Sequence, residues 1–238
     1  VICNTSLIAA ITLAVRPGPV DVKALKKPVI FFFVAAAVYC FAAYMMGEFT
    51  RPLGIVLLAM FVCYMVVTIR QGFKSATPPA EGELWKELLL LVVGAAVITV
   101  GANLLVDNGT IIAKELGVPE TVIALTFVAL GTSLPELVTA ITSLVKGHGS
   151  LSIGNIIGAN LFNLVLVSGV SVTLAPFEVP VGKTIFGINS SLILDMPLMI
   201  VVMALLTVPA LTTKKLHRWQ GIVLLCIYAA FCAIQFCL

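Results

Sequence analysis

Eight apolar runs, most of them about as long as a bilayer is thick, divide this chain and leave room for few architectures. They cover residues 1–15, 28–46, 53–69, 88–106, 121–145, 151–174, 195–211 and 221–238. A spanning helix needs roughly 20 mostly apolar residues. The breaks between runs carry the charges and most of the helix-ending residues. Of the 238 residues, 61% are apolar and 11% charged, against about 45–50% and about 25% in a soluble domain. So few charges cannot clothe that much hydrocarbon in water. A water-soluble enzyme, a nucleic-acid binder and a disordered tail are excluded. The net charge of +3 is too small to imply a polyanionic partner. Alternation at period two is absent, so the spans are helices rather than barrel strands. The fold class is an all-α polytopic helical bundle of about eight spans, with the lipid bilayer as its partner. The six cysteines lie in apolar runs without metal-ligand spacing and read as small buried hydrophobes.

Lys and Arg set the orientation. Numbered from the N-terminus, the odd loops hold ten of them (Arg16, Lys23 and Arg70 among these) and the even loops three, Arg51, Lys114 and Lys183. The odd loops are expected to be cytoplasmic, including a polar linker at 71–85, and the C-terminus outside.

The chain also repeats itself. Shifted by 159 positions, Val1-Ile2-Cys3-Asn4 falls on Asn160-Leu161-Phe162-Asn163, and both stretches stop at a proline, Pro17 and Pro176. Shifted by 167, the segment from Arg51 to Leu58 falls on Arg218 to Leu225, with six of eight positions identical or near it. The offset grows by eight because the second connection is longer. Arg51 lies in an even loop and Arg218 in an odd one, so matching segments face opposite sides. That is an inverted-topology repeat, whose substrate site is expected near the midplane where the copies meet. The division is 1–70 for the remainder of the first copy, 71–85 for the linker and 86–238 for a complete second copy. About two helices and part of a third are expected before Val1.

Two segments hold polar residues that a lipid-facing helix would not. In Gly131-Thr132-Ser133-Leu134-Pro135-Glu136, the proline lacks an N–H and frees the carbonyl four residues back. Thr132 and Ser133 share a helical face with Glu136. A carboxylate, two hydroxyls and a carbonyl are hard donors suited to Na⁺ or Ca²⁺. Glu136 is the one carboxylate deep within an expected span, where a charge costs at least about 2.5–3.5 kcal/mol. The second segment runs from Gly154 to Asn163. Gly154 and Gly158 form a GxxxG face for close helix approach. Asn155, Asn160 and Asn163 project within roughly 140° of one another. A Ca²⁺ takes 6–8 oxygens, so two helices with one carboxylate are too few and a symmetry-related second set is required. Asn4 is the remnant of that set in this chain. Asp195, just before Pro197, reads as a helix-end charge, and Asp107 and Asn108 as loop residues.

At residues 122–176 the sequence resembles the cation/calcium antiporter superfamily, in particular its bacterial sodium/calcium exchanger branch. GTSLPE and GNIIGANLFN are the matching motifs, and residues 1–17 resemble the tail of the family's first alpha repeat. The resemblance implies ten spans in the intact protein, truncated here at the N-terminus, and a place in a bacterial inner membrane. It implies exchange of Na⁺ for Ca²⁺ by alternating access, with H⁺ or K⁺ used by some members, and no organic cofactor. Carried onto matching positions, Glu136 is a bridging carboxylate and Thr132 and Ser133 give hydroxyl or carbonyl oxygens. Ala129 gives a backbone carbonyl and Asn160 an amide, with Asn155 and Asn163 alongside. The expected partners are inorganic cations, and the missing N-terminal helices or a second chain. The alternatives are a Ca²⁺/H⁺ antiporter with the same site and a non-transporting half or subunit. An intramembrane aspartic hydrolase lacks its second carboxylate and its GxGD motif.

Overall fold

The computed structural model describes residues 1–74, 84–118, 123, 129–146, 149–179, 184–185 and 187–237. Eight longer helices run through the described residues: α1 Asn4–Val15, α2 Val22–Met46, α3 Arg51–Lys74, α4 Leu84–Glu115, α5 Leu134–Val145, α6 over 149–174, α7 Ser191–Thr213 and α8 Arg218–Cys237. Six of them are long and apolar enough to cross a membrane, and α1 and α5 are shorter apolar helices. The strands are two-residue ladders: β1 Glu48–Phe49 with β2 Phe177–Glu178, and β3 Thr184–Ile185 with β4 Ile188–Asn189.

Three helix boundaries differ from the expected runs, each for a local reason. The run at 28–46 belongs to a helix that starts at Val22, because Asp21 caps it by accepting from the N–H of Lys23 (2.9 Å) and Ala24 (3.3 Å). Pro28 sits inside that helix and removes one backbone bond without ending it. Asp107 and Asn108 are not loop residues but lie within α4, where the Asn108 amide donates to the Leu104 carbonyl at 2.7 Å. That helix ends instead at Gly117, whose φ of 74° allows the left-handed cap closed by Val118 N–H on Ala113 O. The run at 195–211 starts at Ser191, through a π turn over Ser191–Asp195. The expected linker at 71–85 falls largely outside the described residues, as does the start of the run at 121–145.

The two repeats contact each other reciprocally. Val179 N–H donates to Gly47 O at 3.0 Å, and Val20 N–H to Lys214 O at 3.1 Å. These are one contact taken twice: Val179 lies 159 positions after Val20, and Lys214 lies 167 after Gly47. Gly47 and Lys214 both adopt left-handed φ, 70° and 58°. The bridge Pro19↔Lys215 likewise answers the ladder pair Glu48↔Glu178. Helix packing obeys the same rule. A Cβ on Gly54 of α3 would lie 2.7 Å from Thr173 N and 2.9 Å from Gly169 O of α6. A Cβ on Gly221 of α8 would lie 2.6 Å from Ala10 O and Ala14 N of α1. Contacts that swap partners between two copies in this way require a near-twofold axis, and the repeat offsets locate it.

The core gathers around α1. Ile8, Ala9 and Ala10 have no accessible surface and pack with Phe32 of α2, Leu161 of α6 and Leu206 of α7. By contrast, every residue of α4 from Trp85 to Val93 is exposed. An apolar surface of that extent suits lipid, not water.

Candidate cation site

Asn4, Thr5, Ser6 and Thr12 lie on the most buried helix, with at most 2% of their surface exposed. Thr12 returns its hydroxyl to the Ile8 carbonyl at 3.1 Å. Thr5 donates to the Met203 sulfur at 3.3 Å and accepts from the Asn160 amide at 2.8 Å. Asn160 also donates to Met203, at 3.3 Å, so α1, α6 and α7 are tied at one point.

The expected break at Pro135 is present. A single helical turn, Ala129–Thr132, stops at Ser133 (φ −97°, ψ 3°), and α5 begins at Leu134 with the proline in its first turn, where no N–H is needed. The Ala129 carbonyl accepts from Ser133 N–H (3.2 Å) and from the Thr132 hydroxyl (3.1 Å). Thr132 therefore spends its proton on the backbone and keeps its lone pairs for an electron-poor partner. Ser133 is buried beside the thiol of Cys3, the residue just before α1.

Ala129, Thr132 and Ser133 line a cavity of about 510 Å³ together with Asn163 and Ser168 of α6. Tyr39, Phe49 and Phe177 close one side, with ring centroids 4.6 Å and 5.0 Å apart along the stack. Glu136 lies one turn further on, half-buried. Four buried side-chain oxygens among the described residues have no hydrogen-bond partner: Asn4 Oδ1, Ser6 Oγ, Glu136 Oε2 and Asn160 Oδ1. Each costs roughly 1–3 kcal/mol if left so, more for a charged group. All four are oxygens, on three helices that pack against one another. A hard cation is the partner that such atoms accept and that no protein donor here supplies.

Not every expected site residue meets the others. Asn163 faces the cavity with Thr132 and Ser133, Asn160 is buried with its amide nitrogen committed to Thr5, and Asn155 is exposed. Asn4 is buried in α1. The GxxxG face does not serve close approach within the described residues, since a Cβ on Gly154 or Gly158 would meet nothing within 4 Å. Gly54, Gly169 and Gly221 do that work instead.

Asp195, expected from sequence to be a helix-end charge, lies inside the span of α7 and lines the cavity. The signal was upstream. The Asn189 side chain accepts from Ser191 N–H at 3.0 Å and starts the helix a full turn before Asp195.

The model of the family described as "Sodium/calcium exchanger protein" matches residues 86–237. The sodium/calcium exchanger MaX1 of Methanosarcina acetivorans is 37% identical over 156 residues, covering 66% of this chain and 42% of the relative. The inner membrane protein YrbG of Escherichia coli is 34% identical over 191 residues, 75% of this chain and 58% of the relative. A putative antiporter, CaxA of Alkalimonas amylolytica, is 30% identical over 243 residues, 97% of this chain and 74% of the relative. Among solved structures, the sodium-calcium exchanger NCX_Mj soaked with Na⁺ and Sr²⁺ superposes with a TM-score of 0.77 at 27% identity, over 98% of this chain and 73% of that one. The chain thus spans about half the length of the first two of these relatives. By the family match, and by the 30% identity that extends over nearly its whole length, the chain is an integral membrane protein of the sodium/calcium exchanger family.

Proposed function

We propose that the protein is a secondary active transporter that exchanges Na⁺ for Ca²⁺ by alternating access. The observation that carries this reading is the break at Ser133, which turns Thr132 and Ser133 into a cavity shared with Asn163 and leaves Glu136 Oε2 buried without a donor. In this mechanism Ca²⁺ and Na⁺ compete for the same oxygens: the Glu136 carboxylate, the Thr132 and Ser133 hydroxyls and an Asn amide of α6. An unoccupied site leaves a buried negative charge that is costly to carry across. A bound cation removes that uncompensated negative charge, fully for Na⁺ and with a further acidic donor for Ca²⁺, and the helices around it can shift. Exchange follows because only the filled states move. Asn163 lines the cavity, and Asn160 keeps an unpartnered Oδ1 while its nitrogen donates to Thr5, so either can offer an amide oxygen.

A Ca²⁺ needs more donors than this set provides. The near-twofold axis directs the search to the equivalent face beside Asn4. The remaining donors are to be sought in the length of the relatives that this chain does not cover, or in a second chain. In this reading residues 1–70 belong to the first copy, 71–85 to a cytoplasmic linker and 86–238 to the second copy. The odd-numbered loops lie inside, and the membrane is a bacterial inner membrane.

The test is Ca²⁺ uptake into proteoliposomes driven by an outward Na⁺ gradient. Glu136→Gln is expected to abolish it, while purified protein retains its melting temperature. Uptake that persists in E136Q overturns the role of the carboxylate. Uptake driven by a pH gradient without Na⁺ selects the Ca²⁺/H⁺ version of the same site, and a K⁺ requirement would add that ion to the cycle.

A further inference from the structure

A carboxylate of α7 lines the cavity that also holds Thr132, Ser133 and Asn163. Asp195 closes the π turn Ser191–Asp195 at the head of α7, and both ends of that turn line the cavity. A π turn inserted in an α-helix re-aims the side chains that follow it and recurs at functional sites. The carboxylate is held in place. Its Oδ1 accepts from the Gln235 amide of α8 at 3.2 Å, and Ser191 lies one turn before it on the same wall. Gln235 is itself buried. This donor is neutral, and among the described residues no Lys, Arg or His side chain lines the cavity. Among those residues, therefore, no cationic side chain balances Asp195 along the cavity wall. A carboxylate within a span is costly when unbalanced. A cation in the cavity supplies the balance. The wall near Asp195 includes Phe49, Phe177 and Val179, which come from the even-numbered connections. Under the proposed orientation these lie on the outer face. An ion entering from outside passes Asp195 before it reaches Thr132 and Ser133.

We propose that Asp195 is a staging carboxylate: it holds a partly hydrated Na⁺ or Ca²⁺ in the outer part of the cavity, with the Ser191 hydroxyl and the Asn163 amide beside it, and passes the ion inward to the Glu136 set. This inference rests on the cation-exchange reading above. It adds a residue that is needed for access from one face rather than for the exchange itself.

The experiment measures, in oriented vesicles of the full-length protein, the Ca²⁺ concentration for half-maximal Na⁺-driven flux from each face. Asp195→Asn is expected to raise the outer value roughly tenfold, in line with removal of one nearby charge at intermediate dielectric. The inner value stays within twofold. Asp195→Glu stays near wild type, and Asp195→Ser carries the same expectation as D195N should D195N fail to assemble. Gln235→Leu removes the hydrogen bond and keeps the charge, so its outer value moves by less than threefold. An unchanged outer value in D195N, an equal shift on both faces, or a Q235L effect as large as that of D195N makes Asp195 a structural residue and overturns the proposal. A wild-type protein without Na⁺-driven Ca²⁺ flux overturns the exchange reading itself, a result distinct from any of these.

Discussion

Asn4 and Asn163 hold equivalent positions in the two copies, 159 residues apart, and each begins a π turn. Yet Asn4 is 1% exposed with an unpartnered oxygen, while Asn163 is exposed and lines the cavity. The same residue in the same local helix geometry thus meets two environments. Sequence position does not set access; the helices around each position do. On the side of Asn163 the reciprocal connection is roofed by the stacked Tyr39, Phe49 and Phe177, and Asp195 and Ser191 open a polar wall beneath it. On the side of Asn4 the matching bridge joins Pro19 to Lys215, and α1 is packed into the core. One equivalent asparagine open and the other closed is the asymmetry that the proposed alternating access needs. Under that proposal the opposite state is expected to exchange the two environments.

The largest effects should come from the contacts that make the copies equivalent. Gly54→Ala and Gly221→Ala each push a methyl group against backbone atoms at 2.6–2.9 Å. Each is expected to destabilise by about 3 kcal/mol, the upper part of the range for overpacking, and to lower the melting temperature in detergent by similar amounts. Gly154→Ala and Gly158→Ala meet nothing within 4 Å among the described residues, so they should be neutral or gain up to about 1 kcal/mol from helix propensity. A large difference between G54A and G221A breaks the equivalence. A loss in G154A restores the GxxxG reading.

The difference in access predicts a smaller, directional effect. Asn163→Ala should raise the half-saturating Ca²⁺ concentration about tenfold from the face onto which the cavity opens, with less than threefold change from the other. Asn4→Ala should show the reverse. A tenfold change corresponds to about 1.4 kcal/mol, within the range for a hydrogen bond or ligand to a charged partner. Flux measured from each face of oriented vesicles decides it. Equal shifts from both faces would mean that the two asparagines serve one common state.

Much of this was legible in residue order. The break at Pro135 and the repeat offsets rest on short-range rules, and the structure shows them in the Ser133 kink and in the Gly54 and Gly221 contacts. Of the eight expected spans, six among the described residues are long and apolar enough to cross a membrane, and α1 and α5 are shorter. What was not legible depends on which neighbour a side chain meets. Spacing alone grouped Asn155, Asn160 and Asn163, but α6 sends them to the surface, the core and the cavity. Asp195 was hidden because Pro197 suggested a helix start, while the true start lay at a side-chain cap six residues upstream of Asp195, at Asn189. The GxxxG pair matched a packing motif in sequence, but packing is settled by the facing helix. At Gly154 and Gly158 no described atom comes that close.

The smallest expected effect concerns a contact with no counterpart in the other copy. Asn160 donates to Thr5 at 2.8 Å, and both bond to the Met203 sulfur. At the equivalent positions stand Val1 and Leu164, which cannot form such a bond. The tie is therefore one-sided. If Asn160 acts as a clamp, Thr5→Val should cost about 1 kcal/mol and Asn160→Ala about 2 kcal/mol, the second larger because it leaves the Thr5 hydroxyl short of a donor. The double variant should lose about 1 kcal/mol less than the sum, the coupling that direct contact produces. Ca²⁺ affinity should stay within twofold in all three. If instead the unpartnered Asn160 Oδ1 holds a transported ion, N160A lowers affinity while T5V does not, and the stability coupling is small. Melting temperature and half-saturating Ca²⁺, measured on the same four proteins, separate a residue that holds the copies together from one that holds the cargo.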